Sequence, residues 1–151
     1  IYQIRELQNG GEFVVLLFLA AWGNDTLAYC TGMLIGKHKM SPILSPKKSI
    51  EGLIGGIVGA AILGGLYGMY LNTYIRFSFN PVTMFPVICG LGGAVSVIGD
   101  LAASAIKRDS GIKDYGTLIP GHGGILDRFD SIIFIAPVIY YLTVMISGGA
   151  I

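Results

Sequence analysis

Four apolar runs constrain this chain more than any other feature, since each is long enough to cross a hydrocarbon layer. A layer of about 30 Å needs roughly 20 helical residues. The runs cover approximately 13–36, 50–71, 82–106 and 131–147, and the last can be extended backward through Asp127–Asp130. None keeps a period-two alternation, and an open sheet leaves backbone groups unsatisfied in lipid. An all-α polytopic membrane bundle of about four spans is therefore expected, forming one transmembrane domain over residues 1–151. With 53% hydrophobic and only 13% charged residues, a water-soluble globule, which carries roughly 25% charged residues, is a poor fit.

Glycine supports the same reading. In the second run Gly52/Gly56, Gly55/Gly59 and Gly64/Gly68 are each four apart, placing small residues in a ridge where another helix can approach. Tyr67, Tyr70 and Tyr74 at its far end fit an interfacial aromatic belt. Cys30 and Cys89 stand singly in apolar surroundings, without the spacing of a metal site or a disulfide framework, and read as inert thiols. The start, Ile-Tyr-Gln-Ile-Arg-Glu, has no secretory-signal pattern. Lacking an initiating Met, the chain reads as a fragment or a trimmed chain, which leaves room for further spans before Ile1.

The net charge of +1 gives no basic field for nucleic acid. Its distribution says more. Lys37, Lys39, Lys47 and Lys48 lie in the loop 37–49, and Lys107, Arg108, Lys113 and Arg128 in the loop 107–130. Together they are eight of the ten basic residues. The positive-inside rule puts both loops on the cytoplasmic side of a cell membrane. Ser45 and Pro46 look like a helix cap and first helical residue, which would set Lys47 and Lys48 at a helix start, where a phosphate would relieve their conflict with the helix dipole. A headgroup anchor would explain the lysines almost as well.

Ionisable residues inside such runs cost roughly 2.5–3.5 kcal/mol each on insertion scales and are functional candidates by default. Asp25 lies in the first run and Asp100 in the third. Ser96, Asp100, Ser104 and Lys107 follow helical spacing and form one polar stripe that must face a partner or a watery cavity. Asp127 and Asp130, three apart at a helix start, place two carboxylates on one side. Such a pair repels itself unless a cation sits between them. Magnesium suits it, and Asp100 can supply a third carboxylate. Helix capping is the plainer alternative for the two aspartates. Before them, Gly121-His122-Gly123-Gly124 is a turn whose amides can line an anion. With basic residues around it, the combination points to a polyphosphate and its metal.

The uninterrupted stretch Ser104 to Asp130 resembles the signature of the phosphatidate cytidylyltransferases, or CDP-diacylglycerol synthases. It contains Ser104, Lys107-Arg108, Lys113-Asp114, Pro120-Gly121-His122-Gly123-Gly124, Asp127-Arg128 and Asp130. Asp25 to Tyr29, Gly32, Gly36-Lys37, Ser45 to Lys48 and Glu51-Gly52 resemble the family's upstream motif. The resemblance implies transfer of CMP from CTP to phosphatidate, yielding CDP-diacylglycerol and pyrophosphate, in a multi-pass enzyme often found as a homodimer. It further implies magnesium at Asp100, Asp127 and Asp130, potassium as a second cation, and a polar pocket around Ser104, Lys107 and His122. Asp25, Lys47, Lys48, Arg108, Lys113, Gly123, Gly124 and Arg128 complete the expected substrate site. Two rivals stand beside this reading: a CTP-dependent enzyme using another lipid or polyprenol acceptor, and an ion-coupled transporter fragment with Asp25 and Asp100 as its relay.

Overall fold

The computed structural model describes residues 1–41, 45–112 and 126–147, without the side chains of residues 41, 45–47 and 126–128. A short helix, α1 (Tyr2–Arg5), precedes α2 (Gly10–Phe18), a π-helical turn (Leu19–Gly23) and α3 (Asn24–Ile35). Strands β1 (Lys39–Ser41) and β2 (Ser45–Ser49) pair antiparallel, and α4 (Ile50–Asn72), α5 (Pro81–Asp109) and α6 (Leu126–Ile146) follow. Four helical stretches, Gly10–Ile35, Ile50–Asn72, Pro81–Asp109 and Phe129–Ile146, are long and apolar enough to cross a membrane. The chain is a polytopic membrane bundle, with spans close to those expected from the sequence.

Lipid tails are as apolar as leucine, so close packing rather than water exclusion must hold such helices together. On α4 a row at intervals of four, Gly52, Gly56, Ala60, Gly64 and Gly68, is buried. One half of the row meets α3 and the other meets α5. A Cβ on Gly56 would lie 2.7 Å from Asn24 Oδ1, and one on Gly64 would lie 2.6 Å from the Phe85 carbonyl oxygen. The glycine ridge thus serves two partners in succession. Phe13, Leu16, Leu17, Phe85, Ile88, Ile135 and Ile139 form the remaining core among α2, α5 and α6.

Two local readings need correction. Ser45 and Pro46 do not begin a helix; they lie in β2, and α4 starts five residues later at Ile50. Its cap is Ser49, whose hydroxyl accepts from the Gly52 amide at 3.1 Å. Pairing of β1 with β2, with Lys39 opposite Ser49, prevails over the local preference of proline for a first helical turn. Tyr67, read as an interfacial residue, instead donates a hydrogen bond to Glu12 and ties α4 to α2. Tyr70 and Tyr74 are exposed, as a belt requires. Both cysteines are free, Cys89 buried and Cys30 partly exposed.

Candidate active site

The hairpin end of the bundle gathers the carboxyl end of α3, the start of α4, the carboxyl end of α5 and the start of α6. At the edge of this end, α3 is tied to α4 through Glu51. Its carboxylate accepts from the backbone amides of Lys37 and His38, and lies 2.6 Å from His38 Nδ1. This clasp fixes the root of the hairpin, and the hairpin delivers Lys48.

A cavity of about 590 Å³ opens between the hairpin and helices α3, α4 and α5, lined by Asn24, Asp25, Tyr29, Lys39, Lys48, Ser49 and Asp100 among others. Asp25 reaches it because the chain leaves the π-helical turn at Gly23 and restarts as α3 at Asn24. Wide turns of this kind recur at functional positions. Asp100 lies in the second half of α5, and its carboxylate forms an ion pair with Lys48 Nζ across 52 residues of sequence. The polar stripe of α5 continues from there. Ser96 is buried without a hydrogen-bond partner among the described residues, Ser104 is half-buried, and Lys107 Nζ lies 3.7 Å from Asp130 Oδ2.

Asp130 sits in the first turns of α6, only 7% exposed, and also accepts from the Ser131 amide at 2.7 Å. Asp25, Asp100 and Asp130 therefore come from three different helices and lie within electrostatic reach of one another. Like charges this close repel, and each described carboxylate pair is tolerated because a lysine stands against it. Among the described residues no three His, Cys, Asp or Glu side chains are close enough to hold one metal ion. The third expected ligand, Asp127, belongs to α6 three residues before Asp130, but its side chain lies outside the described residues, as do those of Lys47 and Arg128. Lys113, His122, Gly123 and Gly124 also lie outside them. Arg108 is exposed at the end of α5.

Asn24 was not singled out by the sequence, and it is the most unusual group in the site. It is fully buried, it lines the cavity beside the Asp25 carboxylate, and among the described residues neither its amide nitrogen nor its oxygen has a hydrogen bond of ordinary geometry. The only sequence signal was its position beside Asp25 inside an apolar run.

The sequence profile of the cytidylyltransferase family matches residues 2–146. Among relatives, the phosphatidate cytidylyltransferase of Synechocystis is 44% identical over 133 residues, 87% of this chain and 43% of that protein. Those of Bacillus subtilis and Thermotoga maritima are 38% and 37% identical over 147 and 139 residues. These alignments cover 96% and 92% of this chain, and 52% of each relative. The chain spans about half the length of the curated relatives it matches. Since the match covers residues 2–146, nearly the whole chain, the chain belongs to the cytidylyltransferase family.

Proposed function

We propose that this chain is the carboxy-terminal catalytic part of a phosphatidate cytidylyltransferase, a magnesium-dependent nucleotidyltransferase of phospholipid biosynthesis. A phosphatidate oxygen attacks the α-phosphorus of CTP in line; the bond between the α-phosphorus and the bridging oxygen breaks, and pyrophosphate leaves with that oxygen. CDP-diacylglycerol remains in the bilayer. The attacking oxygen is already ionised near neutral pH, so neither a protein nucleophile nor a strong general base is needed. The main obstacle is repulsion between two anions.

Asp100 and Asp130 supply the hard oxygen ligands that magnesium prefers, and magnesium takes only one or two carboxylates from a protein, leaving positions for water and phosphate. With Asp127 they would hold it; potassium is the second cation proposed for the same centre. When bound, the metal supplies charge neutralisation at the phosphates. Lys48 and Lys107 are placed to exchange their carboxylate partners for phosphate oxygens. Asn24 and Asp25 shape the inner wall of the cavity. The basic residues Lys47, Arg108, Lys113 and Arg128, with His122, Gly123 and Gly124, complete the proposed nucleotide side, which faces the cytoplasm. Phosphatidate enters laterally, its tails still in lipid, and the working unit is a homodimer.

The observation that carries this reading is the convergence of Asp100 and Asp130, each against a lysine, beside a cavity walled by the hairpin. The test uses the whole protein in detergent with labelled CTP, phosphatidate and magnesium. CDP-lipid is the expected product. Ion flux without that product would favour a transporter, and a stronger reaction with another acceptor would reassign the lipid.

A further inference from the structure

At the opposite end of the bundle, about 35 Å away by the length of α4, a second cavity of about 230 Å³ lies among three segments. They are the turn before α2, the turn between α4 and α5, and the end of α6. Arg76 and Ser78 line it from the middle turn, Asn9 from the first and Thr143 from α6, with Phe77 and Phe79 beside them.

Thr143 is the telling group. A threonine within a helix ordinarily returns its hydroxyl to a carbonyl three or four residues back. Thr31 does so with Leu27 at 2.7 Å, and Ser147 with Val144 at 3.2 Å. Thr143 is 1% exposed, and its hydroxyl has no partner among the described residues. Arg76 has no carboxylate within ion-pair distance among those residues either. A guanidinium and an uncommitted buried hydroxyl lining one cavity favour one chemistry, an oxyanion.

We propose that this cavity binds a phosphate-bearing anion at the membrane face opposite the candidate active site. Its volume is below the roughly 300 Å³ at which drug-sized sites begin, which suits a headgroup phosphate rather than a nucleotide. The phenyl rings of Phe77 and Phe79 give an ester-bearing ligand an apolar wall. The phosphate belongs either to a phospholipid or to free phosphate, and the test separates the two.

The whole protein in detergent is titrated with dihexanoyl phosphatidylglycerol and, separately, with inorganic phosphate, and binding is read by calorimetry. Arg76→Gln and Thr143→Val are compared with wild type. Arg76 is exposed and Thr143→Val removes an unpaired hydroxyl, so both variants should keep the wild-type melting temperature without ligand. Binding of at least one ligand is expected to weaken at least tenfold in Arg76→Gln and about threefold or more in Thr143→Val. The ligand that responds identifies the source. Weakening by Arg76→Gln alone would mean a rim charge attracting headgroups, and would overturn the cavity. Equal affinities in all three proteins, or no binding of either ligand, would overturn the proposal outright.

Discussion

A single carboxylate explains how much of the site a sequence can disclose. Asp130 is noticeable because it directly precedes an apolar run, and it is buried against Lys107 at 3.7 Å. Asp25 and Asp100 are noticeable for the same reason: charge is expensive where lipid is expected. The partner of Asp100 was not legible, because Lys48 lies 52 residues away on a hairpin that local preference did not reveal. Asn24 was missed since an uncharged amide carries a weaker signal. Asp130→Asn, and equally Asp127→Asn, keeps shape while removing charge. Turnover of CTP with phosphatidate should fall at least about 100-fold, about 2.7 kcal/mol in barrier, with the helical circular dichroism unchanged. Wild-type turnover in either purified variant would end the metal assignment. For Lys48→Met the expected effect is different. It leaves Asp100 without its cation, so affinity for magnesium should rise while affinity for CTP drops about tenfold or more, as titration of each would show. Gly123→Val is expected to weaken CTP binding if Gly123 lies against the nucleotide as proposed; unchanged affinity would remove it from the substrate site.

Among the elements, the helices were readable and the hairpin was not. The length of each apolar run sets the spans, and glycine at intervals of four identifies the packing ridge of α4. Local chemistry pointed to Ser45-Pro46 as the start of the second span, whereas strand pairing between residues 39–41 and 45–49 moves that start to Ser49. The π-helical turn had no clear sequence signature either, although it is what brings Asn24 and Asp25 to the cavity. Ser49 now has two tasks, as the cap of α4 and as part of the cavity wall. Ser49→Ala should lower stability by about 1 kcal/mol through loss of the cap, read as a lower melting temperature in detergent. Ser49→Asp, which retains a capping oxygen, should recover most of it. A Ser49→Ala protein as stable as wild type would mean that the hairpin alone holds α4 in place.

The helix ends of the whole molecule divide between two membrane faces. Residues 37–41, 45–49 and 110–112 emerge at one end of the bundle, since α3 and α5 finish there. The turn carrying Arg76 emerges at the other, between the end of α4 and the start of α5. This alternation follows from four spans joined in sequence, and it separates the candidate active site from the phosphate cavity by the thickness of a bilayer. Along α4, Ile54, Val58, Ile62 and Leu66 are exposed at the same interval of four as the buried glycine row. That stripe meets lipid or the remainder of a longer protein, and it commits α4 to a membrane-spanning position in either case. The proposed orientation rests on charge: Lys37, Lys39, Lys48, Lys107 and Arg108 are at the hairpin end, the side that the positive-inside rule would put in the cytoplasm. In a Cys30→Ala, Cys89→Ala background, Ser110→Cys and Arg76→Cys in the whole protein should react differently with a membrane-impermeant maleimide. Arg76→Cys should label in intact cells, and Ser110→Cys only after the membrane is opened. The opposite pattern would invert the orientation while leaving the bundle intact. Labelling of both in intact cells would contradict the crossing of α5, and with it the separation of the two sites.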